Sequence, residues 1–257
     1  MLWLIDGTNT FILGSAHLGN IKLPQLSDIA EQIYVKSERI VFEADMDMVP
    51  NQSPMLLPNS GLLADVIPAS LYAEVTKKWI GLGIPESYLL HLRPFFAAVQ
   101  LTMTKASQSG YSPEFGVDRH IWERATLDQK KKLNFETHSD QLQRMAEFPL
   151  DEQISSLENI TAQDDLGLAE LSTIVGACNK GDIQYLASFL QKRHRLWPAI
   201  SESMISERNR KWAPSIAEVA KDKSPCIIVL GALHLVGPVG LPALLERHGL
   251  KTALLTS

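Results

Sequence analysis

Thr10–Gly19 reads TFILGSAHLG, and Ile228–Gly237 reads IVLGALHLVG. Each is a short apolar run that ends in Gly-x-x-His-Leu, with another glycine two or three residues after the histidine. The same device therefore stands near both ends of a chain of 257 residues. The glycines explain its form. Gly14 and Gly231 let the backbone leave a strand steeply and remove a Cβ where another group comes close. Gly19 and Gly237 permit the next turn. Each copy thus aims one histidine, His17 or His234, from the end of a strand.

Working outward, WLIDGTNTFILG reads as strand, Asp6-Gly7 turn and strand, because Asp-Gly supplies the positive φ of a tight hairpin. A loop follows. LSDIAEQIYVKS then has helical apolar spacing, with Ser27 or Asp28 as N-cap. RIVFEAD is a short buried strand, which completes a strand–helix–strand unit of the kind that builds parallel sheets. KLNFET reads as another strand, PCIIVLGALH as a strand before a helix in PVGLPALLERHG, and LKTALLT as a last strand. Two long stretches, about 60–118 and 139–221, are helical in pattern. IPESYLLHLRPFFAAVQLTMTKASQSG within the first reads as two helices broken at Pro94. The fold class expected is α/β: a central mixed or mainly parallel sheet flanked by helices, in one domain spanning 1–257 with those two stretches as helical insertions.

Composition narrows the function. The residues are 45% hydrophobic and 21% charged, which suits a soluble globular protein with a core. A net charge of −5 gives no basis for a nucleic-acid partner or an anionic membrane. Two cysteines, Cys178 and Cys226, give neither a C-x-x-C pair nor a disulfide framework. No apolar run reaches the roughly 18 residues of a membrane span, and MLWLIDG is not a secretory leader. The compartment expected is cytoplasmic as the chain stands, or periplasmic or secreted if a leader has been removed.

Four apolar runs end in a polar ligand: FILGSAH at His17, IVFE at Glu43, LNFE at Glu136 and CIIVLGALH at His234. Sites in open α/β sheets form outside the carboxyl ends of the strands. If these strands are parallel neighbours, two imidazoles and two carboxylates meet at one edge. Such a set suits zinc, manganese, iron or cobalt, and a bound ion would generate hydroxide near neutral pH. The same groups also work without metal, with histidine as general base, a carboxylate to orient it and an arginine at the oxyanion. GVDRHIWE adds Asp118 and His120 at the start of a helix, where Asp118 reads equally as a helix cap. SERNRKW adds Arg208, Asn209 and Arg210 within one turn, with Arg208 and Lys211 on one face; a solvated basic helix is the plainer reading.

Taken together, GSAHLG, VFEAD, GYSPEFGVDRHI, NFETHSDQL, ERNRKWAPSI and VLGALHLVGPVGLPALLERHG resemble the TraB/GumN family, which includes the Tiki proteases. The resemblance spans almost the whole chain. It implies an α/β fold related to the erythromycin-esterase-like and haem-binding ChaN-like proteins, with His17, His234, Glu43 and Arg208 in one cleft. Asn209 also matches, and Asp118 and Glu136 match recurrent acidic positions. It further implies a hydrolase, of peptide bonds in the Tiki branch, using Mn²⁺ or Co²⁺, with Zn²⁺ also suited to the donors. In that expectation His17 and His234 are metal ligands, Glu43 is a ligand or general base, Glu136 is a ligand or orienter, and Asp118 is an orienter. Arg208 clamps a substrate carboxylate or stabilises the oxyanion, and the partner is a peptide or small molecule. Two rivals stand beside it: a metal-free His/Glu hydrolase, and a non-catalytic module that binds haem or peptide.

Overall fold

A computed structural model describes residues 1–20 and 26–255. The loop expected before the first helix falls largely on 21–25, outside the described residues, as does the end of the last expected strand. Six strands form one sheet: β1 (Leu2–Ile5), β2 (Thr10–Ser15), β3 (Arg39–Ala44), β4 (Lys131–Glu136), β5 (Cys226–Gly231) and β6 (Thr252–Leu255), in the order β4-β3-β5-β2-β1-β6. β2, β5, β3 and β4 are parallel neighbours, whereas β1 runs antiparallel to both β2 and β6. The sheet is thus mixed, with a parallel centre. The Asp6-Gly7 turn joins β1 to β2 as expected, with Gly7 at φ +74°.

The helices are α1 (Asp28–Lys36), α2 (Leu63–Val66), α3 (Ala69–Gly81), α4 (Pro94–Gln108), α5 (Val117–Leu127), α6 (His138–Ala146), α7 (Leu150–Thr161), α8 (Leu168–Lys180), α9 (Ile183–Leu196), α10 (Pro198–Ser201), α11 (Glu207–Val219) and α12 (Leu241–Arg247). Two details differ from the sequence reading. Pro94 opens α4 instead of dividing two helices, and the residues before it form one 3-10 turn, Glu86–Tyr88. Proline suits a first helical position because its missing N–H would be unpaired there anyway. The helical run ending at 219 is also interrupted: Glu202–Ser206 is a π-helical turn between α10 and α11.

The chain divides into two compact units, one of residues 1–48, 111–137 and 173–257, the other of 49–110 and 138–172. The first holds the sheet. β5 is buried along its whole length, CIIVLG, because both faces of the sheet are covered. Ile228 and Leu230 pack with Ile12 and Val41 against Trp212 and Ile216 of α11 and against α12. Ile227 and Val229 face the other way, with Leu13, Ile40 and Phe42 against Tyr34 of α1 and Trp122 of α5. A parallel strand buried on both faces reads as a continuous apolar run, as β5 does. Phe42 and Trp122 meet edge to face at 4.8 Å. The second unit has its own helical core around Trp79, Phe96, Leu101 and Leu157. No helix among the described residues is long and apolar enough to cross a membrane.

Candidate functional site

The parallel centre of the sheet brings the carboxyl ends of β2, β5, β3 and β4 to one edge, and each contributes. His17 lies two residues beyond β2, and His234 lies in the 3-10 turn Ala232–Leu235 that follows β5. Glu43 is the next-to-last residue of β3, and Glu136 ends β4. Asp118 comes from the first turn of α5, and Arg208 and Asn209 from the first turn of α11. All seven belong to the sheet-bearing unit, and the structure brings all of them together.

Arg208 is the hub. Its side chain is only 4% exposed. NH2 donates to Glu43 Oε2 at 2.5 Å and to Glu136 Oε1 at 2.6 Å, and NH1 donates to the Met204 carbonyl at 3.1 Å and to His234 Nε2 at 3.1 Å. The Met204 carbonyl belongs to the π-helical turn. The guanidinium lies 4.4 Å from the ring centroid of Trp212, four residues on along α11, and Phe135 of β4 stacks on Trp212 in turn, with centroids 5.4 Å apart. Two buried carboxylates are therefore matched by one buried, aromatic-backed cation. That pairing lets the charges stay out of water.

Glu43 also accepts from the Gly231 N–H at 2.6 Å. Burial works against its ionisation, but the Arg208 guanidinium and His17, with the Gly231 N–H, outweigh that and hold the carboxyl well below the usual range. Gly231 has to be glycine here. A Cβ at that position would come 2.9 Å from His17 Nε2 and 3.2 Å from Glu43 Oε1.

The two histidines sit differently. His17 has a side chain 57% exposed, and its Nδ1 donates to Asp118 Oδ2 at 2.5 Å. The Asp118 charge is the main reason its pKa rises to about 9, against an opposing effect of burial. Its Nε2 lies 3.8 Å from Glu43 Oε1, too far for a hydrogen bond. His234 is 3% exposed and its pKa is pushed down to about 3, chiefly by burial and further by Arg208 and His17, with Glu43 opposing.

Several assignments change in consequence. Asp118 is not the helix cap: the N-cap of α5 is Gly116, and Asp118 bonds His17 instead. Arg208 has no free fork for a substrate carboxylate, because its terminal nitrogens already serve Glu43, Glu136, His234 and Met204. The buried face of α11 carries Arg208, Asn209 and Trp212, while Arg210 and Lys211 are exposed, so the shared Arg208–Lys211 face is not realised. The part played by Trp212 was missed in the sequence. The i, i+4 spacing of Arg208 and Trp212 on one helix face was its only signal.

Among the described residues, no group of three or more His, Cys, Asp or Glu side chains could hold a metal ion. The donor set explains why the expected ligands do not fit one as they stand. The position between Glu43 and Glu136 is filled by the Arg208 guanidinium, and the Nε2 of His234 is turned to the same group.

The family model described as TraB/PrgY/gumN matches residues 1–253. No curated protein and no solved structure matches the chain. With a match over nearly its full length, and with both Gly-x-x-His histidines, Glu43 and Arg208 gathered at one sheet edge, the chain belongs to the TraB/PrgY/gumN family.

Proposed function

We propose that this cleft is a hydrolytic site in which His17 is the general base, oriented by Asp118, acting on an ester or peptide bond without a metal ion. The observation that carries this reading is the 2.5 Å contact from His17 Nδ1 to Asp118 Oδ2. It leaves Nε2 free of that bond and 3.8 Å from Glu43 Oε1, on a side chain that is 57% exposed. A carboxylate on one ring nitrogen sets the tautomer and stabilises the imidazolium that forms when the other nitrogen takes a proton. His17 Nε2 takes a proton from the attacking water, which Glu43 Oε1, 3.8 Å away, helps to orient; the water oxygen bonds to the carbonyl carbon, and the imidazolium returns the proton to the leaving alcohol or amine as its bond to that carbon breaks. Arg208, Glu136 and Trp212 hold Glu43 in place. The metal-dependent peptidase implied by the family resemblance uses the same histidines, but it requires Arg208 to leave the carboxylates it now bridges.

The test is hydrolysis of a panel of p-nitrophenyl esters and short peptides by chelator-treated protein. Turnover is expected to survive chelation and to vanish in His17→Ala. It is expected to fall by roughly 10²–10⁴-fold in Asp118→Asn, the usual contribution of an oriented general base. Turnover that appears only with added Mn²⁺ or Co²⁺ overturns the metal-free reading. A Soret band on haem titration, with no turnover of any substrate, favours the binding-module rival instead.

A further inference from the structure

The two Gly-x-x-His histidines match in sequence, and the hydrogen bonds around them show that they are not equivalent. Asn209 settles the first step. Its Nδ2 lies 3.1 Å from the His234 carbonyl oxygen and 2.8 Å from the Val239 carbonyl oxygen. Carbonyl oxygens only accept, so the amide end that faces them is the NH₂. The other end, Oδ1, therefore faces His234 Nδ1, at 2.6 Å. An amide oxygen cannot donate, so His234 Nδ1 carries the proton. On the far side of the ring, Nε2 meets Arg208 NH1 at 3.1 Å. A guanidinium cannot accept, so Nε2 presents its lone pair.

From this chain of bonds we infer that His234 is a positioning residue, a neutral imidazole locked in its Nδ1–H form by Asn209, which holds Arg208 between Glu43 and Glu136 and is neither a metal ligand nor a proton carrier. The contrast with His17 comes from one partner atom. His17 Nδ1 faces the carboxylate of Asp118, which favours an imidazolium. His234 Nδ1 faces the amide of Asn209, which favours a neutral ring. A second cation beside Arg208 would be repelled, and the ring is further enclosed by Trp212, 4.8 Å away between centroids. Glu43 Oε1 lies 3.8 Å from Nε2, and its other oxygen is bonded to Arg208. The downward displacement of the His234 pKa agrees with the lock. The inference does not depend on the hydrolytic reading.

The experiment is NMR of the full chain labelled with ¹⁵N-histidine. The chain has seven histidines, and His234→Gln assigns the signal. The expected result is a neutral ring protonated on Nδ1, unchanged from about pH 8 to about pH 5, a range that protonates an unperturbed histidine. Added Zn²⁺ is expected to leave its Nε2 resonance in place. Asn209→Asp supplies a carboxylate and is expected to convert His234 to an imidazolium at neutral pH. His234→Gln can still accept from Arg208 and donate to Asn209, so it is expected to keep the His17 signals of the unmodified protein, whereas His234→Ala shifts them. An Nε2–H or doubly protonated His234 at neutral pH, or a Zn²⁺-induced shift of Nε2, overturns the inference. So does a folded Asn209→Asp protein whose His234 stays neutral. If that variant does not fold, the spectrum of the unmodified chain decides alone.

Discussion

At the scale of single residues, Asp118 and Arg208 do the most to set the chemistry. Asp118→Asn removes the charge that chiefly raises His17, so the His17 pKa is expected to fall from about 9 toward the ordinary 6.5, followed by NMR titration. An asparagine at 118 is not tied down by two carbonyls as Asn209 is. It can turn its NH₂ to the ring and move the ring proton to Nε2, which abolishes the base. In the unmodified protein the base form of His17 increases as pH rises through about 9, so hydrolysis is expected to climb over that interval and level off above it. Arg208→Met leaves Glu43 and Glu136 buried without their cation. Breaking a buried pair in this way costs about 3–5 kcal/mol, which urea unfolding would register. Pairing that change with Glu136→Gln is expected to recover part of the loss.

At the scale of elements, the strand ends and helix starts decide what can touch. Gly231 closes β5 directly under His17 Nε2. Gly231→Ala is expected to lower the melting temperature, since the added Cβ crowds buried Glu43 Oε1 as well as His17 Nε2, and to reduce hydrolysis by roughly an order of magnitude or more, because small misplacements of a catalytic group are costly. Ser27 caps α1 by accepting from the Ala30 N–H. Ser27→Ala is expected to cost about 1 kcal/mol without altering the chemistry. The elements also show what was legible in advance. β3 and β5 announce themselves as short apolar runs, and the four parallel strand ends foretell where His17, Glu43, Glu136 and His234 meet. The π-helical turn was not legible, because Glu202–Ser206 carries ordinary helical residues and its register is set by packing. Nor was the pairing of His17 with Asp118, 101 positions apart, or the engagement of both terminal nitrogens of Arg208, since neither is a property of any local stretch.

At the scale of the whole molecule, the two histidines give stability opposite dependences on pH. His17 has a folded pKa above its unfolded value, so its contribution is complete below about 6.5 and is lost as pH rises through about 9. His234 has a depressed folded pKa, so its contribution is complete above about 6.5 and is lost as pH falls toward about 3. Glu43, also depressed, adds to the loss on the acid side. The melting temperature is therefore expected to peak near pH 6.5, with the alkaline limb the shallower because His17 is largely exposed to solvent. A plateau extending unbroken to pH 9 would contradict this. The connectivity of the sheet has a consequence in time. Ser15, at the end of β2, donates its hydroxyl to the Leu230 carbonyl, 215 positions later, and β5 stands between β2 and β3. During synthesis the centre of the sheet stays open until Cys226–Gly231 has left the ribosome. Loops of that length make closure slow, and nascent chains stalled before Cys226 should accumulate on chaperones with the apolar edges of β2 and β3 uncovered.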